Sequence, residues 1–113
     1  ARFKVCVWCG VTRTRFDHHC IFINACVYQD THKKFVVVLL LSLALSFFFC
    51  VVTVLLTTGT NGISQMHARF PILLSLIVVN SVFALGIASV LFIQIWGIVR
   101  NLTTNELVNF VRY

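Results

Sequence analysis

The sequence has 113 residues, of which 59% are hydrophobic and 11% charged, where an ordinary soluble domain carries about 25% charged residues. Its mean hydropathy of +0.96 is that of a membrane chain, and the net charge of +6 does not point to nucleic acid, because the basic residues lie outside two long apolar spans. Of the five cysteines, four fall within residues 6–26, near His18, His19 and His32, which suits metal binding or catalysis better than a secreted disulfide framework.

Residues 1–34 are polar and cysteine-rich, and residues 1–20 hold no apolar core of a signal peptide. The chain begins at Ala1 and reads as a fragment of a longer one. Residues 35–57 run uncharged from Phe35 to Thr57. Residues 58–71, with Gly59, Asn61, Gly62 and a closing Pro71, read as a short loop. Residues 72–99 are again uncharged, and residues 100–113 form a polar tail. A helix needs about 20 apolar residues to cross a hydrocarbon core of about 30 Å. A charge at its centre would cost roughly 2.5–3.5 kcal/mol on insertion scales, and neither span has one. The expected fold class is therefore membrane all-α, with two transmembrane helices in this piece and a small irregular cytoplasmic segment ahead of them.

Eight of the nine basic residues, Arg2, Lys4, Arg13, Arg15, Lys33, Lys34, Arg100 and Arg112, lie outside the inter-helix loop, and only Arg69 lies inside it. The positive-inside rule puts both polar ends in the cytoplasm and the loop in the lumen or outside. A reducing cytoplasm suits free thiols and metal thiolates. Ser81, Ala84, Gly86, Ala88 and Ser89 let the second helix pack closely, Asn80 and Gln94 are expected to bond between helices, and Cys50 is a small apolar filler. Neither span carries a His, Asp or Glu to pass an ion, which argues against a metal transporter.

The segment VCVWCGVTRTRFDHHCIFINACV carries two overlaid patterns. Cys6, Cys9, His19 and Cys26 offer three sulfurs and an imidazole, a donor set for one tetrahedral zinc. Asp17, His18 and Cys20 provide a thiol, a base to take its proton and an acid to orient the base. Spacing alone leaves open that Cys20 is itself a ligand, with Cys6, Cys9 and one of His19 or Cys26.

FDHHC followed by Asn24-x-Cys26-Val27 resembles the cysteine-rich domain of the DHHC palmitoyltransferases, and Thr103-Thr104-Asn105-Glu106 matches that family's Thr-Thr-x-Glu motif beyond the second span. His32 and Phe35 also fall where the family has an aromatic or His and a Phe before its third helix. The resemblance implies four or more helices in the full chain. It implies that Cys20 accepts an acyl group from palmitoyl-CoA or another long-chain acyl-CoA, with His18 as base and Asp17 as its orienter. Cys6, Cys9, His19 and Cys26 align with the family's second zinc site. Thr104 would brace Asp17, with Glu106 supporting it. The departures are Val5 and Thr12, where the family has ligands of a first zinc; Ile21-Phe22 in place of Pro-Trp; Tyr28 in place of Gly; and Thr31 in place of Asn. One zinc rather than two is expected.

The implied function is transfer of a palmitoyl group through acyl-Cys20 to cytoplasmic cysteines of substrate proteins. It would take place at the cytoplasmic face of an endomembrane (Golgi or endoplasmic reticulum) or the plasma membrane, with the bilayer and acyl-CoA as partners and no nucleic acid. The competing reading is an inactive, zinc-stabilised membrane scaffold of the same family, whose thiol at position 20 would take no label from acyl-CoA. The charge split makes one test available: Gly62→Cys in the full-length protein should react with impermeant maleimide from the lumenal or outer side, and labelling from the cytoplasmic side would refute the topology.

Overall fold

The structure, a computed structural model, describes residues 2–58 and 63–109, the side chains of residues 57–69 excepted. In chain order it has β1 (Phe3–Val5), β2 (Thr12–Thr14), β3 (His18–Cys20), β4 (Ala25–Val27), α1 (His32–Thr58), α2 (Ile63–Arg100) and α3 (Thr104–Val108). The chain divides into two compact units, Ala1–Val38 with Val90–Tyr113, and Leu39–Ser89.

The first unit gives the cysteine-rich segment more order than its sequence suggests. It contains two antiparallel ribbons, β1 with β2 and β3 with β4. In the first ribbon Phe3, Lys4 and Val5 face Thr14, Arg13 and Thr12. Its turn is a knuckle: the Cys6 carbonyl accepts from Gly10 N–H at 2.8 Å, and Cys6 N–H donates to the Val11 carbonyl at 3.1 Å. Gly10 closes it with φ +67°, a left-handed conformation that costs a residue without Cβ little. The second ribbon turns through residues 21–24 and ends on Asn24 at φ +46°, a residue type that tolerates this region. The ribbons are tied together where the Arg13 guanidinium lies 4.6 Å over the Tyr28 ring. Val27 and Cys6 are the most deeply buried side chains here.

Three devices join these ribbons to the helix ends. At the start of α1, the Thr31 hydroxyl accepts from Tyr28 N–H at 3.0 Å and donates to the Cys26 carbonyl at 3.0 Å. At the end of α2, Leu102 N–H returns to the Gly97 carbonyl at 2.8 Å and Asn101 N–H to that of Ile98 at 3.1 Å, with Asn101 at φ +54°. This is a Schellman turn, which reverses the chain after the helix. Then Thr103 caps α3: its hydroxyl accepts from Glu106 N–H at 3.2 Å while the Glu106 carboxylate accepts from Thr103 N–H at 2.8 Å, a reciprocal capping box. The carboxylate also pairs with Arg2 at 2.9 Å, fixing α3 against the start of the first ribbon.

In the second unit, Asn80 ties α1 to α2. It accepts from the Ser46 hydroxyl at 2.9 Å and donates to the Ser46 carbonyl and Cys50 Sγ, each at 3.1 Å. An amide in hydrocarbon must find such partners inside the protein. Large side chains of this unit face outward, among them Phe47 at 73% exposure, Leu55 at 63% and Phe83 at 67%. Such surfaces are too apolar to face water. Two helical stretches, His32–Leu56 with mean hydropathy 3.0 and Phe70–Arg100 with 2.5, are long and apolar enough to cross a membrane.

One expectation is corrected. The reading of 58–71 as a loop runs too far, because α2 begins at Ile63 and contains Pro71. A proline's fixed φ is compatible with a helix, and it forfeits one backward hydrogen bond that the long apolar run beyond it can outweigh. Residues 59–62, the centre of that predicted loop, lie outside the described residues. The second helix therefore starts earlier than position 72, and the first starts at His32 rather than Phe35.

The Schellman turn carries a prediction. A Cβ on Gly97 would sit 2.7 Å from the Leu102 carbonyl oxygen, whereas one on Gly86 would meet nothing within 4 Å. Gly97→Ala should therefore lower the stability of the detergent-solubilised protein by about 1–3 kcal/mol, the usual range for overpacking. Gly86→Ala should leave the melting temperature unchanged, and equal melting temperatures for the two variants would refute the assignment.

Candidate active site and metal centre

The period of two along a β-strand decides how the run Asp17-His18-His19-Cys20 is used. In β3, His18 and Cys20 point to one face and His19 to the other. In the pairing of β3 with β4, His19 lies directly opposite Cys26. Such a cross-strand pair has Cβ atoms about 4.5–5.5 Å apart. That places an imidazole and a thiol side by side under the Cys6–Cys9 knuckle.

The four candidate ligands meet there. His19 Nδ1 lies 3.7 Å from Cys6 Sγ, 3.4 Å from Cys9 Sγ and 3.7 Å from Cys26 Sγ, and Cys9 and Cys26 sulfurs are 3.4 Å apart. All four ligand atoms fall within 4.8 Å of one another, and all five cysteines are free thiols. Zinc–sulfur bonds of about 2.3 Å in a tetrahedron imply edges of about 3.5–3.8 Å. The donor set and spacing therefore fit one soft or borderline divalent ion, and Cys20 is not part of the group. Burial and its thiol neighbours Cys9 and Cys6 push Cys26 up to about 12. Burial acts in the same sense on Cys6, but the Cys9 N–H and the Cys26 thiol bring it down to about 7. Sulfurs crowded this closely cannot all be thiolates without a cation among them. The exposed Trp8 ring stacks over His19 with centroids 6.1 Å apart.

On the other face, the Asp17 carboxylate is 3% exposed and accepts four hydrogen bonds. His18 Nδ1 at 2.7 Å, Gln94 Nε2 at 2.9 Å and the Thr104 hydroxyl at 3.0 Å reach Oδ2, and Thr104 N–H reaches Oδ1 at 2.5 Å. Burial would raise its pKa. The bonds from His18, the Thr104 backbone, Gln94 and the Thr104 hydroxyl outweigh it and hold the carboxyl at about 2, so it is ionised at neutral pH. His18 in turn is raised above its ordinary value, chiefly by its bond to Asp17, against the opposing effect of burial. Its ring packs edge-on against Phe35 at 5.2 Å. With Nδ1 engaged by Asp17, Nε2 is the nitrogen left for Cys20, which lies on the same face of β3 as His18. Burial raises the Cys20 thiol, but N–H groups of Ile23 and Phe22 and the His18 ring more than offset it, so its pKa falls below the ordinary value. The set can hold a nucleophilic sulfur with its proton on the neighbouring imidazole.

Thr104 thus lies directly against Asp17. Glu106 touches none of Asp17, His18 or Cys20 in these bonds; it holds the turn that carries Thr104. Two participants are not legible as such in the sequence. Gln94 reads there only as an interhelical hydrogen bonder, yet its amide reaches Asp17 and Thr104 as well as His32. His32 stands out there only for its place in a motif, with no partner assigned. A signal does exist: Gln94 lies six positions before Arg100, near the polar end of its span rather than its middle. Ile21 and Phe22 stand exposed at the tip of the second ribbon.

A family model described as DHHC palmitoyltransferase matches residues 1–111. Palmitoyltransferase ZDHHC23 of Homo sapiens is 29% identical over 121 aligned positions, covering 99% of this chain and 30% of that protein. Palmitoyltransferase ZDHHC23-A of Danio rerio is 49% identical over 43 residues, 38% of this chain and 11% of that protein. Palmitoyltransferase ZDHHC15A of the same fish is 29% identical over 114, covering 89% and 32%. The chain thus spans about a third or less of the curated relatives it matches. No solved structure matches it significantly.

The separation of the two faces predicts separate losses. His19→Ala should abolish metal binding and loosen the cysteine-rich segment, because a structural zinc contributes directly to folding. Cys20→Ser should keep one zinc per chain by elemental analysis of the full-length protein. Loss of metal in Cys20→Ser would contradict the geometry.

Proposed function

The chain belongs to the DHHC palmitoyltransferase family, and on that footing we propose that it carries the catalytic segment of a protein S-acyltransferase. The observation that supports this most is the row Asp17–His18–Cys20, in which an ionised, buried carboxylate holds one imidazole nitrogen at 2.7 Å and leaves the other for the thiol.

The mechanism is set by those contacts. His18 Nε2 takes the Cys20 proton, and Asp17 stabilises the resulting imidazolium without itself being protonated. The thiolate attacks the carbonyl carbon of a long-chain acyl-CoA. A new C–S bond forms to Cys20, the bond to the CoA sulfur breaks, and His18 returns its proton to the departing thiolate. In the second half, a cysteine thiol of a substrate protein passes its proton to His18 and attacks acyl-Cys20. The acyl group moves to the new sulfur and the Cys20 thiol is restored by that proton. Each step exchanges one thioester for another, so no redox partner is needed. Cys6, Cys9, His19 and Cys26 would hold a zinc that serves as a structural clamp on the loop bearing Cys20.

The setting suits the substrate. His32 and Phe35, which touch this site, belong to the first turn of a helix apolar enough to span a bilayer. Each buried methylene is worth about 0.8 kcal/mol, so a sixteen-carbon chain gains on the order of 10 kcal/mol in lipid. The thioester is then presented at the surface, where CoA remains hydrated. Lys33, Lys34 and Arg100 flank the spans, and Arg100 stacks on Trp96 at 4.6 Å, as residues that anchor helix ends at the cytoplasmic interface. The compartment is an endomembrane or the plasma membrane.

Full-length protein given palmitoyl-CoA should form a hydroxylamine-sensitive thioester on Cys20, absent in Cys20→Ser. His18→Ala should slow it about 10²–10⁴-fold, the usual worth of general-base assistance. Asp17→Ala should slow it with residual activity. An unlabelled wild type with its zinc intact would favour the scaffold reading instead, with the Ile21-Phe22 tip as the first suspect.

A further inference from the structure

The Gln94 side chain is 3% exposed, within a helix long enough to cross a membrane, and every polar atom of its amide is engaged. Oε1 lies 2.6 Å from His32 Nε2, and Nε2 lies 2.9 Å from Asp17 Oδ2 and 3.1 Å from Thr104 Oγ1. The order of donors and acceptors along this chain follows from its contacts. An ionised carboxylate only accepts, so the amide nitrogen must face Asp17. The amide oxygen must then face His32, whose Nε2 must carry its hydrogen. The Thr104 hydroxyl accepts from Gln94 and so spends its own hydrogen on Asp17 at 3.0 Å. From His32 through Gln94 the donors therefore run in one sense to Asp17 Oδ2, where they meet the His18 donor coming from the other side, with a single arrangement that satisfies every group.

The geometry of Asp17 gives this order a purpose. Oδ2 receives His18 Nδ1, the bond that sets the imidazole tautomer and aim. The Gln94 donor lands on the same oxygen, from near the C-terminal end of α2. Thr104 alone holds Oδ1 and one edge of Oδ2; the Gln94 donor further limits rotation about χ2, and a small misorientation of a base relay costs rate heavily. Gln94 is itself prevented from flipping by His32, since the flipped amide would set its oxygen against the carboxylate and its nitrogen against an N–H. Thr104 alone would leave this side of Oδ2 with one donor fewer and a void where the amide sits.

We propose that Gln94, locked by His32, is a positioning residue for acyl transfer: it holds the Asp17 carboxylate, and through it the His18 ring, in the orientation from which Cys20 reacts. This rests on the acyl-Cys20 reading, so its test includes a measurement that needs no acyl transfer.

The experiment uses full-length protein in lipid nanodiscs with palmitoyl-CoA. Gln94→Met keeps the length of the side chain and removes both N–H groups and the acceptor. Its kcat for Cys20 acylation should fall about 10- to 100-fold, the usual effect of losing a hydrogen bond to a charged group, with KM for palmitoyl-CoA and zinc content unchanged. Gln94→Glu keeps the acceptor for His32 but sets a carboxyl against Asp17, and should be at least as slow. His32→Phe, a second variant should Gln94→Met fail to fold, should fall in the same direction by less. The double variant should be no slower than Gln94→Met alone, because both act through one contact. Independently, ¹⁵N spectra of the histidine rings should show the Nδ1–H form of His18 in wild type and its loss or mixing in Gln94→Met. Wild-type kcat in Gln94→Met, additive losses in the double variant, or zinc loss accompanying the rate loss would overturn the proposal. If wild type takes no acyl group on Cys20, the acyltransferase reading fails. The His18 spectra then still decide the positioning: an unchanged Nδ1–H signal in Gln94→Met overturns it, and an altered one supports it.

Discussion

A buried anion is the constraint around which the first unit is arranged. Removing the Asp17 carboxylate from water carries a penalty of several kcal/mol unless its oxygens are met by donors. Four donors meet them, and they come from widely separated parts of the chain: His18 beside it in sequence, Gln94 from near the end of α2, and the backbone and hydroxyl of Thr104 at the start of α3. Thr104 reaches Asp17 only because the Schellman turn at Gly97–Leu102 reverses the chain and the Thr103–Glu106 box stiffens the start of α3. Arg2 then pins that box to the first ribbon. Each of these features, innocuous by itself, supports one ionised oxygen pair that also bonds the His18 imidazole.

The second organising element is the pleat of β3. Adjacent histidines of identical chemistry are assigned opposite work because adjacent residues of a strand point to opposite faces. His19 joins the sulfurs and His18 joins the acid and the thiol. The candidate metal ligands and the row leading from His18 to Cys20 therefore share a backbone segment three residues long without sharing a side chain. A metal held on one face of so short a strand would restrain the other face at no additional cost in ordering the chain.

The departures from the family pattern find physical roles here. Val5 and Thr12, two of the departures expected from the family pattern, face each other across the first ribbon. Both are β-branched, a pairing that supports a pleated ribbon without a metal. Tyr28 supplies the ring under Arg13 that ties the ribbons together, and Thr31 knits the end of β4 to the start of α1 with its hydroxyl.

Much of this is legible in the residues themselves. Two uncharged spans dictate two long apolar helices because hydrocarbon admits no uncompensated charge, and a Cys-x₂-Cys with a later His and Cys dictates a metal donor set because few other chemistries need three thiols and an imidazole at that spacing. Thr103 and Glu106 announce a capping box by their three-residue separation. Local patterns of this kind are read from neighbours along the chain. What the tertiary structure alone decided depends on contacts between residues far apart in sequence. The strand register opposing His19 to Cys26 excludes Cys20 from the metal group, which spacing leaves open. Gln94 is 77 residues from Asp17, and an amide in an apolar helix looks the same whether it staples two helices, as Asn80 does, or completes the shell of a carboxylate. The extent of α2 through Pro71 is likewise beyond local reading, because a proline marks a lost hydrogen bond but not whether the helix around it is long enough to bear the loss.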